Sequence, residues 1–214
     1  MKIKYFLING IDRSRDEFML KQFEKAQINK DDVTWIKSHN KSELTDEFCK
    51  KVTVNNKLTP GQISCTIKHF LALKHIVENE IDIGVVMEDN IEFNTNNFPE
   101  RLNTYLEQLP EDWDILFEGD TGKYCEQETC ENKYVYPKIN GWTNMPGVGL
   151  WMGGTNAANC YIIPLKTAKK FLNRFLPFTN VIDHYYNDLL RLINSNTYWS
   201  VPPVVHRIRR KSTV

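Results

Sequence analysis

Three short stretches carry side chains suited to holding a hard cation against phosphate. VVMEDN (85–90) leaves an apolar run abruptly at Glu88, Asp89 and Asn90. FEGD (117–120) does the same with Glu118 and Asp120, and INGID (8–12) with Asn9 and Asp12. Carboxylate and amide oxygens are the ligands that Mg²⁺ and Mn²⁺ prefer. In open α/β sheets, ligands dock beyond the carboxyl ends of the strands, so acids surfacing there fit that chemistry. The same acids would also serve simply to solvate a strand end, and no triplet taken alone decides between the two readings.

Other candidates carry the same double reading. Arg13 offers a forked set of donors to phosphate, or simply starts a helix. Cys65 and His69 stand four residues apart, the spacing of a helical ligand pair; two ligands are too few for a structural zinc, and a packed thiol beside a hydrogen-bonded histidine answers the same pattern. Gly153, Gly154, Thr155 and Asn156 present amides able to meet sugar hydroxyls, or form a turn. Trp142 and Trp151 flank that loop and either stack on a pyranose or anchor a core. Asp183 opens a helical pattern, where an N-cap is the plain role. His206, with Arg207 after it, ends the last extended piece.

The elements that must position these residues alternate along the chain. KIKYFLIN and VTWIKS read as strands around the amphipathic helix SRDEFMLKQFEKAQI. LTPGQISCTIKHFLALKHIVEN is the clearest helix: Thr59 suits the N-cap, Pro60 the first position and Gln62 the capping box. IDIGVVMED is apolar enough to be covered on both faces, as in a parallel sheet under helices. A helix around Phe98 to Gln108, the strand DWDILFEGD, the strand ANCYIIP, two helices (KTAKKFLNRFL and one near DHYYNDLLRLIN) and the extended TYWSVPPVVH follow. Residues 119–154 lack periodicity, which favours a functional loop. The pattern predicts one α/β domain over 1–214, with a mostly parallel central sheet flanked by helices.

Composition narrows the function. Lys+Arg and Asp+Glu balance at 27 each, so no basic field argues for nucleic acid. Five unevenly spaced cysteines argue for reduced thiols and a cytoplasmic setting, and Cys125 and Cys130 lack the spacing of a zinc knuckle. No run is long enough to span a bilayer, and the brief apolar start is too short for a signal peptide. No GxGxxG follows the first strand, which sets aside a Rossmann cofactor enzyme. The Asn- and Lys-rich composition suits an AT-rich bacterial or viral genome, in which case the setting is the bacterial or host cytoplasm.

The order of these segments resembles glycosyltransferase family 25, the lipopolysaccharide and collagen galactosyltransferase-like group. LINGIDRSRD stands where that family opens with a strand like INLDR, and LTPGQISCTIKH where it has L-T-x-G-E-x-G-C-x-x-S-H. VVMEDN takes the place of a strand ending in E-D-D, and DWDILFEGD, GGTNAANCYII and a closing P-P-x-V-like piece follow in order. The chain departs from the pattern at Asn90 in place of the third acid, at Ser64 for Gly, at Lys68 for Ser, and by an extra residue before Asp12.

The resemblance implies a GT-A fold and a hexosyl transfer, with a nucleotide diphospho-sugar donor and a glycan or other hydroxyl acceptor as partners. It implies Asn9, Asp12, Arg13, His69, Glu88 and Asp89 at the nucleotide sugar, and Trp151, Gly153, Gly154, Thr155 and Asn156 at the acceptor. Asp183, with Asp120 in reserve, would be the base of an inverting reaction. Mn²⁺ or Mg²⁺ would sit on Asp89, Asn90 and His206; an Asn carbonyl can ligate such a cation but brings no charge. The alternative is a nucleotide-sugar- or glycan-binding module of the same fold, with catalysis weakened at Asn90.

Overall fold

The computed structural model describes residues 1–118, 132–138, 143–145, 149–152 and 158–208. Its centre is a seven-stranded sheet. Across it run β2 (Val33–Ile36), β1 (Ile3–Ile8), β3 (Ile83–Glu88), β9 (Cys160–Pro164), β5 (Ile115–Phe117), β10 (Thr197–Ser200) and β6 (Val135–Pro137). Five of these strands run in one direction; β9 and β6 oppose them. β3 is therefore parallel to β1 but antiparallel to β9. Its continuous apolar run reports burial on both faces, which does not depend on a neighbour's direction.

Helices cover both faces. On one side α3 (Pro60–Glu78), α5 (Leu165–Phe175) and α6 (Ile182–Leu192) pack on Phe6, Val86, Phe117 and Tyr161. On the other, α1 (Arg13–Lys25) and α4 (Phe98–Gln108) pack on Leu7, Val85, Met87, Leu116 and Ile162. α2 (Asp46–Val52), capped by Thr45, is a further short helix that the sequence patterning left unread. A small ribbon of β4 (Ile91–Phe93) and β11 (Val205–Arg207) and a second of β7 (Thr143–Met145) and β8 (Gly149–Met152) complete the described strands.

Local chemistry sets the helix starts. In α3 the Thr59 hydroxyl accepts from the Gln62 amide while the Gln62 side chain accepts from the Thr59 amide, the reciprocal capping box read from the sequence. Asp12 caps α1 through the Ser14 amide at 2.9 Å. Gly84 lets α3 close on β3: a Cβ there would fall 2.3 Å from Ile76 Cδ1. That close approach sets the last turn of α3 against the start of β3. Among the described residues no helix is long and apolar enough to cross a membrane.

Candidate functional site

The carboxyl end of β3 divides the site in two. Side chains alternate across a strand, so Glu88 turns to the α3 and α6 face and Asp89 to the α1 side. On the α1 side, Asp89 is buried and its backbone amide donates to the Ile8 carbonyl. Its Oδ1 accepts from Arg15 Nη1 at 2.6 Å and its Oδ2 from the Gly10 amide at 3.2 Å. Burial pushes the Asp89 carboxyl above its usual range, with the Gly10 amide and Arg15 working against that rise. Nearby, Asn9 donates to Asp16 at 2.8 Å, and Lys37 donates to the same carboxylate at 2.6 Å.

Lys68 stands where the family carries Ser. Its ammonium is buried and donates to the Asn9 carbonyl and to Asn40 Oδ1 at 2.7 Å, tying the end of β1 to the loop after β2. Burial lowers its pKa, while the charges of Cys65, Asp89 and Glu43 oppose the shift. Ser64, the other departure on α3, donates to the His39 carbonyl at 2.6 Å. Both substitutions fasten the same loop.

On the opposite face, Cys65 and His69 of α3 meet Glu88. Cys65 Sγ lies 3.8 Å and His69 Nε2 3.5 Å from Glu88 Oε1. His69 is fully buried; its Nδ1 contacts the Tyr161 hydroxyl at 3.0 Å, which in turn accepts from Tyr186 at 2.5 Å. Burial opposes ionisation of Glu88, yet His69 and the charge of Arg207 outweigh it and hold that carboxyl below its usual value. Asp183 enters from the first turn of α6 and accepts from the Ala158 amide at 2.8 Å. Its pKa is raised by burial first and by the charge of Glu88 second, with Ala158, His69 and Arg207 pulling the other way. Asp183 is not the N-cap, a position held by Val181.

β11 pairs with β4 so that His206 faces Glu92 and Arg207 faces Ile91, and the Ile208 amide donates to the Asn90 carbonyl. Glu92 meets Lys25 of α1 at 3.7 Å on the surface, so His206, its exposed cross-strand neighbour, lies on that outer face. Arg207 is the residue whose charge reaches Glu88 and Asp183. The set Asp89, Asn90 and His206 is thus not assembled around one point. Both Asp89 oxygens are engaged, one by a guanidinium that a divalent ion would have to displace. Asn90 Oδ1 is buried without a hydrogen-bond partner among the described residues, and Mn²⁺ or Mg²⁺ at Asp89 and Asn90 would require Arg15 to give way.

Glu118 ends β5 on the α1 and α4 face. It is fully buried; Oε2 accepts from Ser200 at 2.9 Å, and among the described residues Oε1 has no hydrogen-bond partner. Burial pushes its pKa up to about 8, against the Ser200 hydroxyl and the charge of Arg101.

The structure therefore gathers Asn9, Asp89 and Asp12 beside α1, and His69, Glu88 and Asp183 beside α3. Asp12 serves as a helix cap, and Arg13 is exposed, whereas Arg15 makes the contact with Asp89. The patterning missed Arg15, although DRSRD offers it two residues beyond Arg13. It also gave no role to Tyr161, which needed the register of β9 to appear. Trp151 falls in β8; Asp120, Gly153, Gly154, Thr155, Asn156, Trp142, Cys125 and Cys130 lie outside the residues whose placement is described.

A family model described as glycosyltransferase family 25 (LPS biosynthesis protein) matches residues 2–186. Procollagen galactosyltransferase 1-B of Xenopus laevis is 27% identical over 180 residues, covering 78% of this chain and 28% of that protein. Procollagen galactosyltransferase 1-A of the same organism has the same identity and coverage. The chain spans 28% of the length of these curated relatives. Among solved structures, A197 from STIV superposes with a TM-score of 0.47 at 12% identity, covering 100% of this chain and 97% of that one.

Proposed function

Because the chain belongs to glycosyltransferase family 25, we propose that it moves a hexose, galactose or glucose, from a nucleotide diphospho-sugar to a glycan or other hydroxyl acceptor, inverting the anomeric centre. What supports this reading is the contact of His69 with Glu88 at 3.5 Å where β3 ends, together with the charges of Glu88, His69 and Arg207 acting on Asp183. Asp183 takes the proton of the acceptor hydroxyl. Its upward-shifted carboxyl is a stronger base than a free aspartate, which suits that task near neutral pH. The acceptor oxygen forms its bond to the anomeric carbon as the bond to the diphosphate breaks on the opposite face. The departing oxygen keeps the electron pair, and Arg207, whose charge acts on Glu88 and Asp183, is the cation on that face to balance it.

The test is nucleotide diphosphate release from UDP-galactose, UDP-glucose and GDP-sugars, with and without acceptor and Mn²⁺. Transfer from one of these donors is expected, and Asp183→Asn should lower it roughly 100- to 10,000-fold while sparing donor binding. A chain that neither hydrolyses, transfers nor binds any donor overturns the reading. Binding without turnover would point instead to the weakened binding module, a second reading favoured by the closed pair of Asp89 and Arg15.

A further inference from the structure

We propose that Cys65, His69 and Glu88 form a binding site for a divalent transition metal of borderline softness, zinc foremost. The three donor atoms lie within 4.8 Å of one another, and the two distances to Glu88 Oε1 are 3.8 and 3.5 Å. Tetrahedral zinc, with bonds of about 2.0–2.3 Å, sets its ligand atoms about 3.3–3.8 Å apart. The trio needs little movement to match. Its chemistry is sulfur, nitrogen and one carboxylate, which selects zinc or cobalt over Mg²⁺.

The second observation is an orphaned atom. His69 is 0% exposed, and among the described residues its Nε2 makes no well-formed hydrogen bond, only the 3.5 Å contact with Glu88 Oε1. A buried imidazole nitrogen left unsatisfied is costly, and a metal ion would satisfy it. The outer contact a ligating histidine needs is already present: Tyr161 holds Nδ1 at 3.0 Å, and Tyr186 holds Tyr161.

On binding, the Cys65 thiol releases one proton as the thiolate–metal bond forms. Three protein ligands leave a fourth position open, and the Glu88 side chain is 16% exposed, so solvent reaches that side. The site is separate from the Asp89 carboxylate, which Arg15 occupies on the other face of the sheet.

The experiment uses the whole chain, stripped with chelator and titrated with Co²⁺ under reducing conditions. A thiolate-to-cobalt charge-transfer band in the near ultraviolet should saturate at one equivalent per chain, yield to Zn²⁺ and resist excess Mg²⁺. Cys65→Ser should abolish it, while Cys49→Ser and the joint Cys125→Ser, Cys130→Ser variant retain it. Absence of the band in the parent protein, or its survival in Cys65→Ser, overturns the proposal and leaves a plain hydrogen-bonded chain through Tyr186, Tyr161 and His69. Should Cys65→Ser fail to fold, Glu88→Gln must weaken Co²⁺ binding more than roughly 10-fold, and unchanged affinity refutes the site. No donor or acceptor is needed, so the outcome is independent of the glycosyl-transfer reading.

Discussion

Glu88 and Glu118 end two strands that run the same way in one sheet, and both carboxyl groups are withdrawn from water. Glu88 keeps company with an imidazole and, further off, Arg207, and its pKa is held below the usual value despite burial. Glu118 has one hydroxyl and a more distant arginine, and its pKa climbs to about 8. Burial is common to both; what differs is the charge stationed beside each. One strand end keeps an anion ready for cations, while the other keeps a neutral acid at ordinary pH. The contrast argues that chemistry gathers at β3 and that β5 closes the core.

The largest expected effect breaks or upholds that contrast directly. Glu88→Gln removes the anion shared by Cys65, His69 and Arg207, and transfer should fall by about 100-fold. Glu118→Gln keeps the shape and the neutral state, so activity should stay within roughly threefold of the parent. Equal losses in steady-state assays would erase the distinction.

Stability against pH sharpens it. Between the ordinary 4.5 and about 8, folded Glu118 holds a proton that the unfolded chain has released, so its contribution is full below 4.5 and is lost as pH rises through about 8. Glu118→Gln should therefore gain on the parent between pH 5 and pH 9, by on the order of 4 kcal/mol in urea melts. Glu88 has the opposite sign: its folded pKa is depressed, so its contribution is present above 4.5 and fades as the solution is acidified below that value. A flat difference between Glu118→Gln and the parent would mean that Glu118 is ionised in the fold.

The smallest effect concerns the hydrogen bond that the Ser200 hydroxyl gives the Glu118 side chain. Ser200→Ala removes it and should cost about 1 kcal/mol at pH 6 by thermal melting. Because that hydroxyl lowers the Glu118 pKa, its loss should also move the alkaline decline to higher pH.

Much of this was legible in the residues. Thr59, Pro60 and Gln62 announced the start of α3, since a capping box is local hydrogen bonding that needs no tertiary partner. The apolar run into VVMEDN announced a buried central strand and its exit. DWDILF announced another strand, although its Asp114 turned out to anchor Thr167 and Lys170 at the far end of the sheet. α2 went unread because seven residues with one buried position carry little periodicity.

The sequence by itself determined the alternation of strands and helices, the capped helix bearing Cys65 and His69, and the presence of acids where β3 ends. Those follow from propensity and period, which act within a few residues. Only the tertiary structure decided that Glu88 and Asp89 face opposite sides, that Arg15 rather than Arg13 takes Asp89, and that His206 turns outward while Arg207 reaches the acids. A strand's alternation halves the choices, but which half meets which helix depends on contacts between residues 70 and more positions apart. Charge pairing at that range is set by packing, and packing is not local.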